Sequence, residues 1–347
     1  MMRAILVGCG AMAKGWIEAL TTAPELVGRV ELVGLCDLDM AAAMRLRAAF
    51  QLDRAQVGTD LDAMLSALHP DILLDVVIPA ARHGVVTLGL AHGCHVLSEK
   101  PMAATLAEAE DLVGKARAAQ RIHAVTQNRR YVPGIRRIRE AIGSGLLGQL
   151  TELHADFFVG AHFGGFREEM AHVLLLDMAI HTFDAARFMA GQQPQAVYCL
   201  ETNPQGSWYA EGAAARAIFE MTEDVIFTYR GSWAAEGANT SWESAWRVVG
   251  TEGTLLWDGA EAMTAHRVTG ETGFFRALTA VEVPQPQHPE DTLGHRSVLR
   301  RFLDAIAAGT APETAGADNI RSLAMVFGAI ASAETRQRQP IAPRSPS

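Results

Sequence analysis

Asp177 and His181 stand four residues apart among the apolar Val173–Leu176, Met178, Ile180, Phe183 and Phe188. An i, i+4 spacing places both side chains on one face of a helix. A carboxylate and an imidazole on so apolar a helix need a partner or a polar cavity. An imidazole titrates near neutral pH and can take a hydroxyl proton, while a carboxylate can orient a neighbouring hydroxyl. The plainer alternative is a salt-linked or helix-capping pair. Asp184 and Arg187, three apart, read as a surface pair. Lys100 stands in Glu99-Lys100-Pro101, directly after the run His95–Ser98. If that run is a strand of an open α/β sheet, its carboxyl end is where ligands sit, and a lysine there can stabilise charge on a reacting oxygen. The alternative is a solvated lysine at a strand end.

What must position these groups is announced near the amino terminus. Residues 5–13 read Ile-Leu-Val-Gly-Cys-Gly-Ala-Met-Ala, the G-x-G-x-x-A form of the dinucleotide fingerprint. Gly8 permits the tight turn, Gly10 lets a pyrophosphate approach the backbone, and Ala13 lets the helix pack on the strand. The phosphates would rest on the N–H groups at the helix start, around Ala11 and Met12. A second apolar strand ends in Asp37, whose carboxylate can accept from a ribose hydroxyl. Asp37 would repel a 2′-phosphate, and Leu38-Asp39 rather than arginine follows, so NAD is expected over NADP. Pro79-Ala-Ala-Arg-His83 ends another strand. Pro79, His83 and Glu99 can line the cofactor, although His83 serves equally well as the start of the next helix. The same first residues faintly mimic an export signal or lipoprotein box. The apolar core is too short and glycine-broken, and cleavage would destroy the fingerprint.

The chain has 347 residues, 49% of them hydrophobic and 20% charged, which suits about two globular domains. No apolar segment reaches the roughly 18 residues of a membrane span. A net charge of −9 opposes general attraction to nucleic acid. Cys9, Cys36, Cys94 and Cys199 are scattered, with no C-x-x-C pair; buried thiols in a reducing cytoplasm are expected. His154, His162, His172 and His181 with Asp177 lack a tight ligand pair, so no metal is expected.

Strands and helices alternate over the first third. Strands are expected at 4–7, 32–36, 72–78, 95–98 and 122–126, and helices at 11–20, 40–50, 60–68, 82–91 and 105–119. That alternation indicates a parallel sheet. Beyond 126 come a helix over 135–142, a strand near 150–158, a helix over 172–189, a strand-rich stretch from 196 to 283, and helices near 296–308 and 318–336. Direct strand–turn–strand connections indicate antiparallel pairing. The expected fold is α/β: an N-terminal Rossmann domain (1–126) and a C-terminal α+β domain (127–338) with a large, mostly antiparallel sheet. The proline- and serine-rich residues 339–347 are expected to be a frayed tail.

The G-x-G-x-x-A turn, the E-K-P tripeptide and the D-x-x-x-H helix occur in that order, and Asn128-Arg129-Arg130-Tyr131 follows the first domain. In these features the chain resembles the glucose–fructose oxidoreductase / inositol dehydrogenase / MocA (Gfo/Idh/MocA) family over nearly its whole length. The resemblance implies an NAD(P)-dependent oxidoreductase acting on a sugar, inositol or related polyol. In that family the lysine of E-K-P and the aspartate and histidine of D-x-x-x-H meet around the substrate. This implies catalytic roles for Lys100, Asp177 and His181, with the division of proton transfer between Lys100 and His181 open. Alternatives within the family are NAD-dependent glycoside cleavage by transient oxidation and non-catalytic dinucleotide-binding regulators.

Polyol ligands need hydrogen-bond donors and stacking faces. Candidates are Arg130, Tyr131, His162, Trp233, Trp242, Trp246 and Arg247, each tryptophan being otherwise core or interface. The second domain has too few helices to cover both sheet faces. The uncovered one is expected to carry large apolar residues and to pair subunits into a homodimer or homotetramer.

Overall fold

The computed structural model describes residues 1–341 of the chain. It divides into two compact units. The first opens with a six-stranded sheet: β1 (Met2–Val7), β2 (Val30–Cys36), β3 (Gln56–Gly58), β4 (Ile72–Asp75), β5 (His95–Ser98) and β6 (His123–Val125). The order is β3-β2-β1-β4-β5-β6, all neighbours parallel. Helices α1 (Ala11–Thr22), α2 (Met40–Ala49), α3 (Leu61–Leu68), α4 (Pro79–Ala91) and α5 (Leu106–Ala118) make the crossovers. The strands bury both faces; Ile5, Leu6, Leu35, Leu73, Leu74, Val96 and Leu97 are inaccessible or nearly so. Asp39, Asp60 and Thr105 cap α2, α3 and α5 through their side chains, whereas α1 starts at Gly10 with no side-chain cap. Strand order reverses direction between β1 and β4, the switch point at which such sheets open a crevice.

Two boundaries differ from expectation. The apolar run 72–78 leaves the sheet at Asp75, and α4 starts at Pro79, which suits a first helical turn. The edge strand β3 was not expected.

The second unit contains α6 (Pro133–Gly143), α7 (Ile180–Ala190) and a nine-stranded sheet. Its strands are β7 (Leu150–Phe158), β8 (Pro194–Thr202), β9 (Ala214–Met221), β10 (Ile226–Ser232), β11 (Ala245–Gly250), β12 (Gly253–Trp257), β13 (Met263–Val268), β14 (Leu278–Val281) and β15 (Gln339–Pro340). The order is β14-β13-β12-β11-β7-β10-β9-β8-β15. β7 and β10 run parallel, and the other pairs are antiparallel. One face packs under α7, where Phe183 meets the rings of Phe219, Tyr229 and Phe227 edge-on at 4.8, 5.2 and 6.1 Å.

The other face is mixed. Tyr198, Ile218 and Leu256 lie exposed beside the Arg230–Asp156 pair and Arg247. Trp246 turns inward and is buried, so that face is less apolar than expected.

Residues 339–341 are not frayed, because β15 pairs with β8 and Ile341 N–H donates to Gln195 O at 2.7 Å. The rest of the expected tail, 342–347, lies outside the described residues.

The domain division also needs correction. Helix α8 (His295–Ala308) and the residues to Ile320 belong to the first unit, not the second. Arg296 forks onto Glu25 at 2.8 and 2.7 Å, Trp16 meets the His295 ring edge-on, and Val125 N–H donates to Thr314 O beyond β6. Helix α9 (Gly316–Thr335) then leads back into the second unit, where Ser332 accepts from Cys199 N–H on β8 at 2.8 Å. No helix among the described residues is long and apolar enough to cross a membrane.

Candidate active site

In the first unit, the turn after β1 is held from two sides. Gly8 N–H donates to Cys36 O at 2.9 Å and Val76 N–H to Val7 O at 2.8 Å. Gly8 has φ +92°, and a Cβ there would lie 2.7 Å from the Val76 carbonyl oxygen, so only glycine fits. Gly10 faces open space instead: a Cβ would meet nothing within 4 Å. The first N–H groups of α1 have no preceding-turn acceptor in the helix. Asp37 is fixed against this turn, its Oδ2 accepting from Cys9 N–H at 2.6 Å and its Oδ1 from Asp39 N–H at 2.8 Å. A bare glycine shelf, an uncapped helix start and an acidic acceptor fit a dinucleotide. Burial pushes the Cys9 thiol up to about 12 and the Cys36 thiol to about 11, so neither is a nucleophile at neutral pH.

The Glu99–Pro101 loop follows β5. Glu99 Oε1 accepts from the Trp16 indole at 2.8 Å, and its Oε2 from Lys100 N–H at 3.2 Å, so Glu99 ties the loop to α1. The Lys100–Pro101 peptide is cis. Pro79 forms the first turn of α4. His83 bonds Asp111 of α5 at 2.6 Å, which favours the helix-start reading over a cofactor contact.

Sequence reasoning passed over Arg82. Its Nε donates to Asp75 Oδ2 at 2.8 Å, one Nη to Val77 O at 2.5 Å and the other to Pro101 O. Both partners of the ion pair are buried. Burial pushes the Asp75 carboxyl above its usual range, against the pull of Arg82, Ser98 and the Val77 N–H. Removing one partner of such a pair costs about 3–5 kcal/mol. Ser98 Oγ lies 3.0 Å from His123 Nε2, and burial holds His123 neutral with a pKa of about 3. The only signal for this network was an aspartate at a strand end and an arginine seven residues on.

In the second unit, Asp177 does not lie on a regular α-helix. Residues Leu174–Ala179 form a π-helical turn, and α7 begins with Ile180-His181. Such widened turns are rare and concentrate at functional sites. Asp177 Oδ2 accepts from Arg167 Nε at 2.6 Å, with side-chain exposures of 14% and 32%. The Arg167 guanidinium lies over Phe163 at 5.1 Å and Phe166 at 4.9 Å. Phe163 meets Trp233 at 5.1 Å and Trp242 at 6.2 Å, and Trp233 stacks on Tyr209 at 5.8 Å. A carboxylate–guanidinium pair thus adjoins an aromatic wall, and Arg167, Phe163 and Tyr209 were not anticipated. His181 is half-buried.

Other expected ligands are placed differently. Arg130 is buried and forks onto Asp184 at 2.7 and 2.6 Å. Asp184 also accepts from Ser322, which bonds Arg187 Nε at 3.0 Å. The Asp184–Arg187 surface pair is therefore a correction: both residues are buried in a network with Arg130. Tyr131 is buried, with the Arg136 guanidinium over its ring at 4.6 Å. His162 is exposed, stacked on Trp208 at 3.7 Å and bonded to Glu236 at 2.9 Å. Trp246 is core, Trp233 is buried in the aromatic wall, and Trp242 remains half-exposed. Among the described residues no group of three or more His, Cys, Asp or Glu side chains is arranged to hold a metal.

Residues 2–127 match the model of an oxidoreductase family with an NAD-binding Rossmann fold, and residues 135–256 match the GFO/IDH/MocA C-terminal domain. A D-apiose dehydrogenase of Paraburkholderia graminis is 27% identical over 342 residues, covering 94% of this chain and 86% of that protein. A 1,5-anhydro-D-fructose reductase of Ensifer adhaerens is 26% identical over 344 residues, 96% of both chains. Among solved structures, an oxidoreductase from Agrobacterium radiobacter in complex with NAD+, L-tartaric acid and magnesium superposes with a TM-score of 0.84 at 20% identity over 98% of each chain, which speaks to the fold.

Proposed function

The chain belongs to the Gfo/Idh/MocA oxidoreductase family, with an NAD-binding Rossmann domain, and on that premise we propose that it moves a hydride between nicotinamide and a CH–OH group of a sugar, inositol or related polyol. One observation carries the reading. The fingerprint turn after β1 and the Lys100 loop after β5 sit at carboxyl ends of one parallel sheet, tied together through Glu99 and Trp16. The names of the relatives, several of them sugar dehydrogenases, support the substrate class.

When bound, NAD+ supplies the hydride acceptor. Gly8, Gly10, Ala11, Met12 and Ala13 would hold its pyrophosphate and Asp37 its ribose. Lys100 hydrogen-bonds the reacting oxygen and stabilises its developing charge. His181 takes the hydroxyl proton, a role open to an imidazole as general base. Asp177, steadied by Arg167, accepts from a neighbouring hydroxyl and fixes the sugar's orientation. The aromatic wall offers apolar faces to the ring carbons. NAD is preferred to NADP: Asp37 stands beside the turn, Leu38 is 93% exposed and Arg45 is bound to Asp39 at 3.2 Å. Sugars, inositols and sugar acids offered with NAD+ and followed at the NADH absorbance test the reading. Turnover of a polyol supports it, and silence across the panel with NADH bound contradicts it.

A homo-oligomer in the cytoplasm completes the reading. The uncovered sheet face supports it, as does the β13–β14 hairpin, where Phe274 and Phe275 are 96% and 88% exposed. The four thiols are buried and free of disulfides, as a reducing compartment allows. Light scattering tests the assembly; a monomer at micromolar concentration contradicts it.

A further inference from the structure

We propose that Arg82 is the residue that positions Lys100, an inference that rests on the catalytic reading of Lys100 given above. Neither carbonyl that Arg82 reaches has a sheet partner to hold it. Val77 lies past the end of β4 and Pro101 past the end of β5. The guanidinium spans both with its two terminal nitrogens, while its Nε is seated on Asp75. A planar fork of fixed donors can do this; the single ammonium of a lysine cannot reproduce it. Asp75 is itself anchored by the Val77 N–H at 3.1 Å and faces the Ser98–His123 pair across the strand ends.

The same segment carries the cofactor turn. Val76, between Asp75 and Val77, presents the carbonyl against which Gly8 is packed. One buried guanidinium therefore sets the Lys100 loop relative to the glycine turn. Arg82 touches no reacting atom in this account; it acts through Pro101 and Val77.

Arg82→Lys tests this, because it keeps the charge opposite Asp75 and loses the fork. Four measurements are made on the full chain: NADH binding by fluorescence, steady-state kinetics with myo-inositol and D-xylose, the pH profile of kcat, and backbone hydrogen exchange. Misplacement by an ångström costs up to about 100-fold, so kcat is expected to fall by at least about tenfold. The NADH Kd and substrate KM should stay within about threefold, with the pH profile of kcat displaced from the parent's. Exchange should quicken across residues 98–104 and not in β1 or β2. A folded variant with the parent's kcat and pH profile, or exchange quickened evenly through the first unit, overturns the proposal.

Asp75→Asn, which keeps the fork and weakens its seat, is the second variant should Arg82→Lys fail to fold. It is expected to give the same pattern with a smaller loss, and parent-like kinetics and exchange would again overturn the proposal. Lys100→Met is run in parallel. If it keeps the parent's turnover, the catalytic reading of Lys100 fails and the proposal with it, while exchange in residues 98–104 still reports whether Arg82 holds the loop.

Discussion

Arg167 reaches forward ten residues to place its Nε 2.6 Å from Oδ2 of Asp177, joining a glycine-flanked loop to a π-helical turn. The bond orients a carboxylate that would otherwise turn about its side-chain torsions. Arg167→Met is expected to raise KM for the polyol by roughly fivefold and to lower kcat less. A charge-assisted hydrogen bond contributes about 1.5–3 kcal/mol, discounted to about 1 kcal/mol because the guanidinium is partly solvated. Unchanged KM and kcat would show that Asp177 holds its place without this partner.

The two fingerprint glycines should separate fold from binding. Gly8→Ala forces a Cβ to 2.7 Å from a carbonyl oxygen at φ +92°, so it is expected to lower the melting temperature and abolish NADH binding together. Gly10→Ala meets nothing in the protein and should melt like the parent, while its methyl stands where a pyrophosphate must approach and weakens NADH binding at least tenfold, about 1.4 kcal/mol. Thermal melts and NADH titrations of the two variants check this; a Gly10→Ala variant binding NADH as the parent does would move the phosphate site elsewhere.

The strength of local signals decided what could be read from the chain. An apolar run broken by Gly8 and Gly10 can hardly be anything but a strand turning into a helix, so β1, α1 and the bearing of Asp37 were legible. β3 has three residues, too few for any period to register. The run 72–78 reads as one strand because Val76, Val77 and Ile78 are β-formers, yet the chain turns out at Asp75, where a buried carboxylate meets Arg82. Asp184 and Arg187 look like a surface i, i+3 pair because the third member, Arg130, stands 54 residues away. No hydropathy pattern distinguishes a π-helical turn from α-helix over six residues, so the local setting of Asp177 was hidden. The packing of α8 on the first unit is a tertiary fact, written partly in Arg296 and Glu25, 271 residues apart.

Cofactor choice should follow Asp37. Replacing Asp37 by Ser and Leu38 by Arg removes a negative charge beside the ribose and places a cation on an exposed position. The catalytic efficiency ratio of NADP+ to NAD+ is expected to rise by at least about 100-fold, some 2.7 kcal/mol in differential binding. The parent favouring NADP+ would contradict the assignment of Asp37.

His172 should make stability depend on pH. Its hydrogen bond and charge pairing with Glu201 raise its pKa above the ordinary 6.5. A raised folded value means the pair's stabilisation is fully present below 6.5 and is lost as pH climbs through the folded value. His172→Asn keeps a residue type that tolerates the left-handed φ of 51°. Its melting temperature should fall furthest below the parent's at pH below 6.5, and the gap should narrow as the pH rises above that. A gap that is constant or widens with pH would remove the pairing as its cause.

The central claim is that Lys100 serves the transition state while the glycine turn and Asp37 hold the cofactor. Lys100→Met measured for turnover and for NADH affinity on the same preparation tests it most directly. The account predicts kcat lowered by about 100- to 1,000-fold, the usual loss for one such donor, with the NADH Kd within about threefold of the parent. Full turnover, or NADH binding lost in step with the rate, would contradict it.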